Sequence, residues 1–395
     1  VDYLDNFSKK KYWEPEFKED KSLTFKDVCN QTKFLLKKSL EKKLISDVPI
    51  SLSLSGGIDS SILAGLIKKE FKRNITSFSL IDQSKYNEEK LINDTQNFLD
   101  LKTNKIKIKY KNFLENLKST IDYHNEPIST ITYFVQNFLM KEVGKSKFKV
   151  IMSGTGADEL FTGYYDHFLQ FFSTIQNKKK RNLSINEWKK FVLPIIKNKS
   201  LRQTSTYVKN KNDRSHIYDN YKENLKYTKF KIPFLFKEKK FCNNLLRNRM
   251  LNELFYEITP VTLRHEDLNC MNYSIENRSP FLDTNLFKFA NTIPTNFLIQ
   301  EGFQKFVLRK TFKKIMHPNV ANHRSKIGFN ASLNLFIKSE KKNNLKNFFY
   351  EDSPINDFVN MKNIFKLTQK KNLTPQVEKF LFNVMNIKIF LDKHY

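Results

Sequence analysis

The hydrophobic pattern alternates between two periods over the first 160 residues and predicts strands and helices in turn. Short apolar or alternating runs predict β-strands, and apolar residues spaced three or four apart predict α-helices. The predicted strands are 50–54, 75–81, 103–109 and 147–153, and the predicted helices between them are 58–72, 87–99, 113–123 and 130–143. This order predicts an α/β fold whose mainly parallel sheet carries helices on both faces.

The two ends of the chain differ from this pattern. The first residues are charged and lack a clear period, and ordered structure is predicted to begin where Thr24 can cap a helix with Asp27. From about residue 160 onward the pattern is helical and rich in Phe and Lys. We therefore predict a connector, an α/β domain and a helical C-terminal extension, over 1–23, 24–335 and 336–395.

Composition narrows the class of protein. The net charge is +28, but the basic residues are mostly Lys and are spread along the whole chain. No local concentration of them interleaves aromatics with Arg as a stacking platform would, so nucleic-acid binding is not expected. No run approaches the roughly 18 apolar residues of a membrane span, and the N-terminus is polar rather than signal-like. Three cysteines, widely spaced and in no C-x-x-C pair, argue for a reducing compartment and against structural zinc. We expect a soluble cytoplasmic protein.

The most informative segment is the Ser-Gly-Gly turn at 55–57, which joins the first predicted strand to a helix. Free backbone N–H groups and the positive helix end bind anions at such a turn, and glycine lets a phosphate come close. The turn lacks the Lys of a Walker A loop and the three glycines of a dinucleotide fold. Asp59 follows instead, with hydroxyls at Ser55, Ser60 and Ser61. A carboxylate beside phosphates predicts a cation such as Mg²⁺ between them.

A second turn, Ser-Gly-Thr-Gly at 153–156, follows the fourth predicted strand and leads to Asp158 and Glu159. Since ligands bind beyond the carboxyl ends of parallel strands, we expect the two turns to be neighbours. Asp59 and Asp158 could then hold one Mg·pyrophosphate between them. Each turn alone has a structural interpretation: a glycine turn in an ordinary α/β protein, or acids that favour a helix N-terminus.

Several segments resemble known enzymes. The S-G-G-x-D-S pattern resembles the pyrophosphate loop of ATP pyrophosphatases, which split ATP into AMP and pyrophosphate. With the two turns, three later segments resemble in order and spacing the synthetase domain of the asparagine synthetase family, over about residues 12–335. These segments are 263–283, 304–309 and 324–330, and Glu126-Pro127 also matches. The resemblance implies an adenine nucleotide alpha hydrolase-like, PP-loop fold for the α/β domain.

The resemblance implies a two-step ligation that uses ATP and Mg²⁺. A carboxylate attacks the α-phosphorus of ATP and releases pyrophosphate, and ammonia then attacks the acyl-adenylate to give an amide and AMP. The family pattern implies Lys326 as the main catalytic cation, with Lys305 as a second, and Asp59 and Asp158 as metal ligands. The residues implied at the ATP and catalytic sites are Leu54, Ser55, Gly56, Gly57, Asp59, Ser60, Leu80, Ser153, Gly154, Thr155, Asp158, Lys305 and Lys326. Glu276 and Arg278 either line the acceptor pocket or form a buried ion pair that shapes it, and we favour the pair.

The sequence departs from the family at two points. Thr155 stands where the family usually has a Glu that orients or deprotonates ammonia, and a Thr hydroxyl cannot take up a proton near neutral pH. The acceptor is therefore open between aspartate and another carboxylate, such as that of a sugar acid or peptide. The glutaminase domain, with its terminal Cys nucleophile, is also missing, and Cys29 does not match that context. We expect ammonia from a separate glutaminase or from one fused upstream, and the connector favours fusion.

Two other functions are weighed against the ligase. A tRNA-modifying PP-loop ATP pyrophosphatase would use the same loop and the positive surface, but such enzymes lack the segments at 263–283 and 324–330. A catalytically inactive scaffold would explain Thr155, but decay should not spare Asp59, Asp158 and Lys326 together. The oligomeric state is open, and a homodimer is compatible with the sequence.

Overall fold

The computed structural model describes residues 10–82, 88–214, 224–229, 237–326 and 331–395. Within them, five strands form one parallel sheet in the order β3-β2-β1-β4-β5. The strands are β1 Ile50–Ser53, β2 Thr76–Ile81, β3 Lys102–Lys107, β4 Val150–Met152 and β5 Glu276–Arg278. The predicted α/β class with a parallel sheet is confirmed. The fifth strand was not predicted.

Helices precede, connect and follow these strands. In the order of the chain they are α1 Phe25–Lys43, α2 Ile58–Gly65, α3 Glu89–Leu99, α4 Phe113–His124, α5 Ile131–Gly144, α6 Ala157–Phe161, α7 Tyr165–Thr174, α8 Lys178–Phe191, α9 Thr206–Lys209, α10 Leu245–Asn252, α11 Ile258–Met271, α12 Thr284–Ala290, α13 Phe306–Phe312, α14 Pro318–Asn322, α15 Leu333–Ser339, α16 Lys342–Tyr350, α17 Met361–Thr368 and α18 Pro375–His394. The predicted start of α1 is confirmed, because Thr24 and Asp27 form a capping box. No helix within the described ranges is both long and apolar enough to cross a bilayer.

The strand order places the two small-residue turns side by side. β1 lies at the centre and pairs with β2 on one edge and β4 on the other. In this register Leu52 is opposite Met152, so the chain leaves both strands at the same level. A crevice opens outside the carboxyl ends where neighbouring connections run in opposite directions, and ligands bind in it. The fold therefore brings the segments after Ser53 and Met152 together.

In the part of the chain that the structure describes, the hydrophobic core has two parts. One cluster packs α1, α2, α12 and α13 and includes Leu52 of β1. The other includes Phe78 of β2 and packs α4 and α5 together with the helices after residue 331. The ring of Phe336 lies 5.0 Å from that of Phe113 and 5.5 Å from that of Phe134. The C-terminal helices therefore share a core with α4 and α5.

Candidate active site

The first turn presents its backbone N–H groups at the end of β1. Leu54 N still donates to Phe78 O at 2.9 Å, and the chain leaves the sheet after it. Ser60 Oγ accepts a hydrogen bond from Ser55 N at 3.1 Å and fixes the turn against the start of α2. Gly56 N donates to Glu88 Oε2 at 2.9 Å. The backbone N–H of Gly56 therefore already binds an anionic oxygen, and a phosphate oxygen is an acceptor of the same kind.

The second turn packs directly on the first. A Cβ atom added to Gly154 would lie 2.8 Å from Asp59 Cβ and 3.2 Å from Ser60 N. Real Cβ atoms do not approach another Cβ atom to 2.8 Å, so glycine at this position lets the turns meet. Sequence reasoning expected the turns to be neighbours, and the structure places them in contact.

Lys305 joins the two acidic side chains. Its Nζ lies 2.6 Å from Asp59 Oδ2 and 2.5 Å from Asp158 Oδ1. Since both oxygens contact one nitrogen, they are no more than about 5 Å apart. Lys305 is buried, and its backbone N donates to Thr162 Oγ1 at 3.2 Å. Lys326 Nζ also contacts Asp158, at 3.2 Å from Oδ2.

The electrostatics of this cluster are strongly coupled. Burial would raise the pKa of Asp158, but Lys305 and Lys326 more than offset it and hold the pKa well below its usual range. Burial raises the pKa of Asp59, against the attraction of Lys305 and with the repulsion of Asp158. For Lys305 burial opposes the charged form, yet the two carboxylates raise its pKa. We conclude that Lys305 is a fixed cation held by Asp158.

The carboxylates fit a magnesium ion. Asp59 Oδ1 is enclosed and has no hydrogen-bond partner within the described residues, although a buried unpaired acceptor costs about 1–3 kcal/mol. Mg²⁺ is bound by one or two carboxylates together with substrate phosphates. Asp59 and Asp158 offer such oxygens on either side of Lys305 Nζ. The donor set therefore suits Mg²⁺, with Asp59 Oδ1 as the atom that most needs a cation.

More cations line the cleft beyond this cluster. The cleft runs from Gly56 and Gly57 to Lys326, and the guanidinium groups of Arg309 and Arg324 lie along it. Lys326 Nζ is 3.3 Å from the centre of the Tyr164 ring, which holds it over the cleft. Positive groups converging beside an anion-binding turn suit a triphosphate.

Arg324 is fixed by aromatic rings rather than by an acid. Its guanidinium lies 4.1 Å from the Phe191 ring centre and 3.6 Å from that of Phe303, and Nη1 donates to Glu301 O at 2.8 Å. Arg309 donates to the carbonyl groups of Gln304 and Ala321. Arg309 lies in the segment 304–309 and Arg324 in the segment 324–330. Only the residue type, Arg, could have indicated from the sequence that they belong to the site. Residues 327–330 of the last motif lie outside the described residues.

The structure does not bring Glu276 and Arg278 to this cleft. The predicted ion pair is present, with Arg278 Nε 2.6 Å from Glu276 Oε1, but the Glu276 side chain is 57% exposed and the pair is not buried. Arg278 Nη1 donates to the carbonyls of Lys43 and Ile45, before β1 begins. Successive side chains of β5 point in opposite directions, so Asn277 points toward the site while Glu276 and Arg278 point away from it.

The remaining predicted residues lie at the carboxyl edge of the sheet. Leu54 and Leu80, which the resemblance implies at the ATP site, are buried at the ends of β1 and β2. Thr155 Oγ1 lies 2.9 Å from Glu266 Oε1 and 3.0 Å from Oε2. Ser153 Oγ lies 3.5 Å from Oε2 of the same residue. Sequence reasoning missed Glu266, although it belongs to the segment 263–283.

A family model described as asparagine synthase matches residues 31–385. Asparagine synthetase [glutamine-hydrolyzing] 1 of Bacillus subtilis strain 168 is 27% identical over 331 residues, covering 79% of this chain and 51% of the relative. A putative asparagine synthetase [glutamine-hydrolyzing] of Mycobacterium tuberculosis strain ATCC 25618 / H37Rv is 25% identical over 318 residues, covering 77% and 48%.

Among solved structures, an NMN synthetase from Francisella tularensis aligns at a TM-score of 0.26 and 15% identity, covering 60% of this chain and 96% of the other. The chain spans about half the length of the curated relatives it matches.

Proposed function

The chain belongs to the asparagine synthase family, and from this premise we propose that it is an ATP-dependent ligase that forms an amide from a carboxylate and ammonia. The observation that carries the proposal is Lys305, held between Asp59 and Asp158 where the two turns meet. This arrangement places a buried cation and two carboxylates together in the crevice. A fixed cation there would stabilise the release of pyrophosphate, because negative charge grows on the leaving group.

In the first step the acceptor carboxylate attacks the α-phosphorus of ATP, and pyrophosphate leaves. The phosphates would bind to the backbone N–H groups of Gly56 and Gly57 in the first turn, in place of their present acceptors, Glu88 Oε2 and Ser55 Oγ. Lys305 and Lys326 neutralise the charge that develops on the leaving oxygens, and they are preorganised because Asp158 already orients both. Asp59 and Asp158 would hold Mg²⁺, which would supply additional positive charge beside the pyrophosphate.

In the second step ammonia attacks the carbonyl of the acyl-adenylate, giving the amide and AMP. The names of the curated relatives specify glutamine hydrolysis, and this chain corresponds to about half of their length. We therefore propose that a glutaminase, fused or separate, delivers the ammonia. The chain alone should use ammonium chloride but not glutamine, and glutamine-dependent product would contradict this.

The acceptor and the compartment are also proposals. We propose aspartate or another carboxylate, such as that of a sugar acid, because Thr155 replaces the usual Glu of the family. Cys29, Cys242 and Cys270 are free, which suits the reducing cytoplasm.

The test is acceptor-dependent exchange of labelled pyrophosphate into ATP, with aspartate and glucuronate as probes. The wild type should exchange label with one of them, and Asp59→Asn should abolish exchange with every acceptor. Asp122→Asn is the matched control, since it removes an exposed carboxylate paired with Lys393. Exchange that survives in Asp59→Asn, or that falls equally in the control, would contradict the proposed site.

A further inference from the structure

A buried carboxylate lies beneath the second turn. Glu266 projects from α11 toward the end of β4, and it is 7% exposed. Both of its oxygens are within 3.0 Å of Thr155 Oγ1. Thr155 belongs to the second turn and is less buried than Glu266. The structure therefore places a hydroxyl of this turn directly against a buried acid, at the edge where ATP is proposed to bind.

The surroundings of Glu266 are polar but uncharged. Asn277 Nδ2 donates to it at 2.9 Å and Gln136 Nε2 at 3.3 Å, and Ser153 Oγ lies at 3.5 Å. In the part of the chain that the structure describes, no Lys, Arg or His forms an ion pair with it. Burial raises the pKa of Glu266, although hydrogen bonds beginning with that of Thr155 oppose the shift.

Glu266 differs in its partners from Asp158 and Glu253, although the buried Glu159 also has a neutral donor, the Tyr164 hydroxyl. Asp158 contacts two lysines, and Glu253 contacts Arg249 and His167. A carboxylate that only stabilises the fold is usually paired with a cation when it is buried. Glu266 has only neutral donors, which leaves it more basic than a paired acid and better able to accept a proton.

We propose that Thr155 and Glu266 form a proton relay for the ammonia step, an inference that rests on the proposed ligase function. As nitrogen attacks the acyl-adenylate, the new C–N bond forms and one N–H proton passes to Thr155 Oγ. The hydroxyl proton of Thr155 moves at the same time to Glu266. The bond between the carbonyl carbon and AMP then breaks, and its electron pair leaves with the phosphate oxygen. Glu266 thus supplies from α11 the carboxylate that the second turn lacks.

The location of the relay agrees with this role. Thr155 follows Gly154. Because Gly154 has no side chain, its backbone packs directly against Asp59. Thr155 is therefore the next residue along the chain from the contact between the two turns. The acyl-adenylate forms at that contact if the phosphates occupy the first turn. Glu266 would act through Thr155 without touching the substrate.

The relay predicts that loss of the Glu266 carboxylate impairs amide formation but not pyrophosphate exchange. Glu266→Gln preserves the shape of the side chain, so pyrophosphate exchange should stay within about threefold of wild type. Amide formation from ammonia should fall at least about 100-fold, the ordinary contribution of general base catalysis. Hydroxylamine should retain more activity, because its adduct loses a proton more readily. Thr155→Glu in the Glu266→Gln background should restore at least about tenfold, because it returns a carboxylate to the turn.

Three comparisons keep the proposal falsifiable. Thr155→Val should show the same split as Glu266→Gln and serves as the second variant if the latter does not fold. Glu378→Gln is the control, since that buried carboxylate accepts from Leu333 N and Ser332 Oγ among the C-terminal helices. Both half-reactions should be unchanged in it.

Equal loss of exchange and amide formation in Glu266→Gln would show a structural role and overturn the relay, as would no loss of either. A wild type without exchange for any acceptor would instead refute the proposed function, and the relay with it.

Discussion

Gly163 is the residue at which the smallest substitution should separate catalysis from folding. A methyl group added there would lie 1.5 Å from Asp158 Oδ1 and 2.4 Å from Asp158 Cγ. Atoms do not approach this closely, so the Asp158 carboxylate must rotate away. Gly163 is not among the residues with positive φ, and Ala can therefore adopt its backbone conformation. The collision with Asp158 is the effect that Gly163→Ala isolates.

The magnitude follows from the contacts that Asp158 would lose. Its oxygens lie 2.5 Å from Lys305 Nζ and 3.2 Å from Lys326 Nζ, and each lysine would lose one of the contacts that orient it. Removing one preorganised charged contact at a transition state costs about 2.7–4 kcal/mol, or about 100- to 1,000-fold in rate. Overpacking costs about 1–3 kcal/mol of stability. Gly163→Ala should therefore stay folded while acceptor-dependent exchange falls at least about 100-fold.

The assay is pyrophosphate exchange at saturating ATP and acceptor, with urea unfolding measured on the same preparations. Gly144→Ala is the control, because its added methyl would lie 2.7 Å from Tyr273 Cβ and crowd the end of α5 instead. We expect a comparable loss of stability in the control with unchanged exchange. A folded Gly163→Ala protein whose exchange is within threefold of wild type would refute the placement of Asp158 in the site.

Two further predictions concern charge. Lys305→Met should lower the free energy of unfolding by about 3–5 kcal/mol, since it leaves Asp59 without its cation and Asp158 with Lys326 alone. Mg²⁺ should recover part of this loss, and urea curves with Mg²⁺ and with EDTA that show equal losses would contradict the metal site. Burial lowers the pKa of His167, but Glu253 more than offsets this and raises the pKa above its usual 6.5. The pair therefore stabilises the fold most below pH 6.5 and less as the pH rises through the raised pKa. The deficit in unfolding free energy of His167→Gln should shrink from pH 6 to pH 9, and a constant or growing deficit would be evidence against it.

The meeting of Asp59 and Asp158 could be predicted from the sequence because it needs only two general rules. Alternating strands and helices give a parallel sheet, and the carboxyl ends of its strands share one edge. Each Asp follows its strand by one small-residue turn, so no detail of side-chain packing enters. The bridging position of Lys305 could not be predicted in the same way, because it depends on how α13 packs against that edge.

The parts that the sequence did not reveal are short or depend on tertiary packing. β5 has three polar residues, Glu-Asn-Arg, and its pairing with β4 leaves no hydrophobic alternation to detect. Glu276 and Arg278 were expected, from the family resemblance, to line the acceptor pocket or to form a buried ion pair. They lie on this unpredicted strand, whose alternation turns Asn277 toward the site instead. Glu266 lies 111 residues from Thr155 along the chain, and α11 lacks a strong apolar face that would have shown which side meets the sheet.

Transfer of an oxygen atom from the acceptor to AMP tests carboxylate adenylation most directly. The chain would be incubated with ATP, Mg²⁺, ammonium chloride and ¹⁸O-labelled aspartate or glucuronate, and the nucleotide products analysed by mass spectrometry. We predict AMP that carries one labelled oxygen, because the carboxylate attacks the α-phosphorus and leaves that oxygen behind. ADP with labelled inorganic phosphate would contradict the mechanism, because it would mean attack at the γ-phosphorus.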